Sequence, residues 1–147
     1  MIISILSIIL FLIFTILGGF HFYWFLGGVW AIEKVIPSKE NVASTLTIPK
    51  FATLIVGLVL VLFGLMYLIK SEFTNVPIPI PIPIWVTNYG YWVIPSIFIL
   101  RAIGEFNYVG FFKKQNNTEF AKADSKLFTP LCLAIGIIGI LIQLMNI

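Results

Sequence analysis

In a chain that is 60% apolar and only 10% charged, ionisable side chains inside or beside apolar stretches are costly and are the first candidates for chemistry. His21 is one. It lies twelve residues before Glu33, about 18 Å away along a straight helix rising 1.5 Å per residue. Trp24 and Gly28, three and seven positions on, share its helical face. Imidazole suits general acid/base work or ligand binding; the alternative role is a hydrogen bond across the bundle to a backbone carbonyl or hydroxyl. Arg101 and Glu105 are spaced i, i+4, which places them on one helical face where they can pair, with Tyr108 continuing the stripe. Such a pair serves as a salt bridge or a snorkelling anchor. Alternatively Arg101 receives the phosphate or carboxylate of a lipid-like ligand, for which a guanidinium fork is well shaped, while Glu105 orients the ligand or moves a proton.

The elements that must position these residues are membrane helices. Charge is absent from residues 1–32, 51–69, 73–100 and 127–147, and about 20 apolar residues cross a hydrocarbon core of about 30 Å. The expected architecture is all-α: a single transmembrane domain, 1–147, forming an integral membrane four-helix bundle with helices over 3–32, 50–69, 85–107 and 128–147. The first run is longer than one crossing needs, so it should tilt, bend or leave the core, most cheaply at Gly18-Gly19 or Gly27-Gly28. Pro49 suits the start of the second helix, and Thr129-Pro130 an N-cap and first position for the fourth. Pro95 should kink the third.

Orientation follows the excess of Lys and Arg in cytoplasmic loops. Lys34, Lys39 and Lys50 follow the first run, Arg101, Lys113, Lys114, Lys122 and Lys126 follow the third, and Lys70 stands alone between the second and third. The loops 33–49 and 108–127 are therefore expected in the cytoplasm, with 70–84 and both termini outside. No basic residue precedes Lys34, so the first helix is expected to be retained rather than cleaved as a signal peptide. In the external loop proline alternates with isoleucine from Pro77 to Ile84, which forbids helix and predicts an extended polyproline II strut.

A soluble domain carries about 25% charged residues, so that class is excluded. The basic clusters are short, juxtamembrane and interrupted by Glu40, Glu119 and Asp124, which points to topology or anionic headgroups rather than nucleic acid. Cys132 is the sole cysteine, so no internal disulfide can form. One histidine and one cysteine cannot build a transition-metal site, and no phosphate-binding loop, dinucleotide fingerprint or nucleophile elbow is present. No metal or cofactor is expected.

The block His21-Phe22-Tyr23-Trp24-Phe25-Leu26-Gly27-Gly28-Val29-Trp30, the block Arg101 to Phe112, and the segments Phe120 to Asp124 and Phe128 to Leu133 resemble the small bacterial membrane proteins grouped as the domain of unknown function DUF3995. The resemblance spans nearly the whole chain in order, and the Pro-Ile segment is its main departure. It implies four membrane helices, a multi-pass protein of the bacterial cytoplasmic (inner) membrane, and no established activity. It also groups polar residues toward one side of the membrane. There His21, Trp24, Arg101, Glu105, Asn107, Tyr108 and Asp124 are expected to line a cytoplasm-facing pocket. The first expectation for function is a protein that binds a lipid or hydrophobic small molecule or serves as an accessory membrane subunit. Its partners would be membrane lipids, a lipid-like molecule, another membrane protein or further copies of itself. A membrane enzyme using His21 and Glu105 on an amphiphile comes second. A proton-coupled transporter comes third, since the second helix has no ionisable residue in its span.

Overall fold

Along the first segment the residues at helical spacing are apolar on two faces. Ser7, Leu10, Phe14 and Gly18 are buried, while Ile2, Ile5, Ile9, Leu12 and Ile16 are exposed. A helix that is apolar all round belongs in a large core or a membrane. The computed structural model describes residues 1–37, 49–71 and 82–146. Among them all regular structure is helical: α1 (Ile2–Phe25), α2 (Ile32–Val35), α3 (Lys50–Lys70), α4 (Ile84–Ile103), α5 (Glu119–Ala123), a π-helical turn (Asp124–Phe128) and α6 (Thr129–Leu144). Among the described residues three helices are long and apolar enough to cross a membrane: α1, α3 and the continuous stretch Glu119–Leu144. The fourth long helix, α4, carries Thr87, Asn88, Ser96 and Arg101 and is less apolar.

α1 packs along α3, and α4 along α6. Small residues make both approaches close, since lipid supplies no hydrophobic drive between helices and van der Waals fit must replace it. A Cβ on Gly18 would come within 2.9 Å of Val61 and 3.2 Å of the Gly57 carbonyl. On the other pair, Gly139 lies against Pro95, and its missing side chain makes room for the Tyr67 hydroxyl. The two pairs meet around Phe14, whose ring lies 5.9 Å from Tyr67 and 5.3 Å from Phe98. Tyr91 stands edge-on to Tyr67 at 5.6 Å and donates to the Met66 carbonyl. Pro95 stays within α4, and the pyrrolidine ring leaves the Tyr91 carbonyl without its helical donor.

Several boundaries differ from expectation. The first helix ends at Phe25 rather than 32, because Gly27 adopts φ +100° and turns the chain toward the short α2. The third ends at Ile103 rather than 107: Gly104 has φ +85°, outside the helical region. Residues 119–127 are helical rather than loop, so Thr129 continues a helix instead of capping one. Pro49 and Pro83 both precede helices in extended conformation. The Pro-Ile strut falls mostly on residues 72–81, and much of the first basic loop on 38–48, which lie outside the described residues. α2 packs against α5, so the C-terminal ends of α1 and α4 and the N-terminal end of α6 share one end of the molecule.

Candidate functional site: a carboxylate knot and an aromatic groove

At that shared end the chain leaving α4 folds back on itself. The Phe111 amide donates to the Ala102 carbonyl at 2.9 Å, and the Lys114 and Gln115 amides both donate to the Asn107 carbonyl at 3.1 and 3.0 Å. The crossing is tight enough to require glycine at both positions. A Cβ on Gly104 would fall on the Val109 carbonyl, and one on Gly110 (φ +91°) would fall on the Ile103 carbonyl.

The fold-back is tied to the helices by one carboxylate. Asp124 is wholly buried, and its Oδ1 accepts from Arg101 Nη2 at 2.7 Å. Its Oδ2 accepts from the Gly110 amide, Lys113 Nζ and Thr129 Oγ1, each at 3.0 Å. Lys113 is buried too, and also donates to the Gly110 carbonyl at 3.1 Å and Ser125 Oγ at 2.6 Å. Burying charges costs several kcal/mol per ion, which the pair recovers only when the geometry is good and the remaining donors are satisfied. Around Asp124 the geometry is good and the Gly110, Lys113 and Thr129 donors are all engaged, while Arg101 bonds through Nη2 alone. The π turn has a part in this: widening the helix by one residue returns Thr129, five positions on, to the Asp124 carboxylate. Arg101 Nη1 is buried with no hydrogen-bond partner among the described residues.

Of the residues expected to form a polar pocket, Arg101 and Asp124 are in contact. The expected Arg101–Glu105 pair is replaced: the helix stops between them, Arg101 pairs with Asp124, and Glu105 instead accepts from the Tyr108 amide within the fold-back. Asn107 and Tyr108 belong to the same fold-back. His21 stays within α1. Its Nδ1 lies 2.8 Å from the Leu17 carbonyl, and because a carbonyl only accepts, Nδ1 carries the proton. Its ring stands edge-on to Trp24 at 5.5 Å, and its Cβ lies against Gly57.

The sequence assigns Lys113 to topology and Thr129 to a helix cap rather than to this site, and it singles out neither Gly110 nor a second feature on the outward face of α1. There Ile16, Gly19, Phe20, Tyr23 and Trp30 line a broadly open surface groove of about 500 Å³. The turn after α1 brings Trp30 back over the helix. Trp24 Nε1 donates to the Trp30 carbonyl at 2.9 Å, the Trp30 amide donates to the Tyr23 hydroxyl at 3.3 Å, and Phe20 stacks on both Trp24 and Trp30. Gly19 has open space where a side chain would stand. The available signal was the spacing of aromatics at positions 20, 23 and 24 on one face of a helix that ends at Phe25.

A family model described as a protein of unknown function, DUF3995, matches residues 14–139. The chain belongs to this family. The match takes in both the carboxylate knot and the groove, so each lies within the DUF3995 region of the chain. No curated protein and no solved structure matches it.

Proposed function

We propose that this DUF3995 protein is a four-helix, multi-pass protein of the bacterial cytoplasmic membrane, with both termini outside, that binds a lipid or other hydrophobic small molecule without transforming it. The observation that carries the reading is the α1 groove. About 500 Å³ of space with aromatic walls stands on an outward, apolar helix face, and ligand pockets are concave, mostly apolar and about 300–1,000 Å³ in volume. Tyr23 and Trp30 bring a hydroxyl and an indole to the rim, the residue types that suit a ligand with an apolar body and a polar end. The ionisable candidates support binding over chemistry. Asp124 and Arg101 are committed to each other, Glu105 holds a backbone amide, and His21 holds Leu17. A general acid/base pair needs a nucleophile or base within about 2.6–3.2 Å of the proton it moves. His21 and Glu105 lie on separate elements and are each bonded locally.

Photoaffinity labelling of the full protein in phospholipid vesicles, with a diazirine fatty acid and peptide mapping, tests this reading. The expected result is labelling concentrated between residues 16 and 30 in the wild type. It should be strongly reduced by Gly19→Leu, which fills the groove, and unchanged in Arg101→Gln provided that variant folds. Equal labelling of every helix, indifferent to Gly19→Leu, would overturn it. A protein retained at this face in place of the probe would favour an accessory subunit instead.

A further inference from the structure

The fold-back between α4 and α5 presents an apolar surface that its own connecting role does not require. Phe106, Phe111 and Phe112 are 56%, 53% and 65% exposed, and the rings of Phe106 and Phe112 lie 6.2 Å apart. Phe106 has φ +66°, in a region that bulky residues rarely occupy. These rings do not stand out because the loop is loose. The Gly104–Gly110 crossing, the amides of Phe111, Lys114 and Gln115, and the bonds from Gly110 and Lys113 to Asp124 tie the backbone down. The rings therefore project from a preformed platform. Exposed Leu100 and Ile103 end α4, and exposed Leu127 lies in the π turn beside Asp124. Exposed apolar side chains thus continue along the sequence from the end of α4 into the fold-back. Lys114 lies two positions after Phe112 and Lys126 directly before Leu127, and both are exposed. Aromatic rings just past a helix end, with lysines in the same segments, are the composition of a region resting at a bilayer's headgroup level, where basic residues are attracted to anionic lipid.

We infer that residues 104–118 form a preorganised interfacial anchor: the knot around Asp124 holds Phe106, Phe111 and Phe112 in the boundary between headgroups and acyl chains, with Lys114 and Lys126 on anionic lipid phosphates. This goes beyond ligand binding in the α1 groove and does not depend on it.

The test uses the full chain carrying Cys132→Ser, so that a single introduced cysteine takes a nitroxide. Phe112→Cys places the label on the proposed anchor and Asn116→Cys on the exposed side of the same loop, with Phe111→Cys as the alternative anchor position should the first fail to fold. In vesicles of phosphatidylcholine with a minority of phosphatidylglycerol, the anchor label should collide severalfold less often than the Asn116→Cys label with an aqueous nickel chelate, and more often with oxygen. Leaving out phosphatidylglycerol should narrow that contrast. Equal nickel accessibility at the two positions would overturn the anchor. Nickel protection accompanied by spin–spin broadening that vanishes on dilution with unlabelled protein would also overturn it, assigning the surface to a second copy. A contrast that ignores lipid charge would remove the two lysines from the proposal.

Discussion

Around Asp124 four donors converge on one carboxylate, and nothing of it meets solvent. Around Trp30 the rings stack on one another at 5.7–5.8 Å and leave an open groove beside them. Both assemblies fasten a turn to a helix end, but the first consumes its polar groups in doing so and the second leaves its surface available. The difference teaches that in a chain this apolar, charge marks where the fold is locked, and the absence of a side chain, at Gly19, marks where something else can fit. The largest test of that contrast is Asp124→Ala. Removing one partner of a buried ion pair typically costs 3–5 kcal/mol, and here it strands the buried Lys113 amine as well as Arg101. A steep fall in thermal stability in mild detergent is expected, with Asp124→Asn intermediate. A variant as stable as wild type would mean that the knot locks nothing.

The same contrast accounts for how much was legible beforehand. The uncharged runs correspond to α1, α3, α4 and α6, because helix length and hydropathy are local properties; of the two glycine pairs that could bend the first run, Gly18-Gly19 stays helical and Gly27-Gly28 is where α1 has given way. The i, i+4 spacing lets Arg101 pair with Glu105, a rule that holds only while the helix lasts. Its partner Asp124 is 23 residues away and becomes adjacent only after the fold-back, which nothing local announces except Gly104 and Gly110. In sequence Lys113 belongs with the topology-setting lysines, and its burial depends on that same closure. The groove escaped for a related reason: Trp30 belongs to it only because the chain turns back over α1.

Gly110→Ala attacks the lock through its backbone. The substitution forces an L side chain to φ +91° and onto the Ile103 carbonyl, where left-handed strain alone costs about 1–3 kcal/mol. Faster amide hydrogen exchange at Phe111 and Lys114 should report opening of the fold-back, while fatty-acid labelling between residues 16 and 30 stays as in wild type. Loss of labelling together with protection would show that the two regions are one cooperative unit. Trp30→Ala should act the other way. An aromatic pair contributes about 0.5–1.5 kcal/mol, so unfolding should shift little. Retention of a hydrophobic probe, measured by labelling yield, should drop by up to about tenfold.

The smallest effect is expected at His21, the residue that looked most like chemistry. In His21→Leu the Nδ1 bond to the Leu17 carbonyl disappears, but that carbonyl still accepts from the helix backbone four residues on, so no buried acceptor is orphaned. A hydrogen bond lost without an orphan is worth about 0.5–1.5 kcal/mol net, and leucine keeps the Cβ that packs against Gly57. The edge-on contact with Trp24 at 5.5 Å is weakened rather than emptied. Thermal unfolding and probe labelling of His21→Leu should therefore both stay close to wild type. A variant that folds as well as wild type yet loses the probe would move His21 out of the structural set and into the groove's binding surface, and the contrast between locked charge and open aromatics would have to be redrawn to include it.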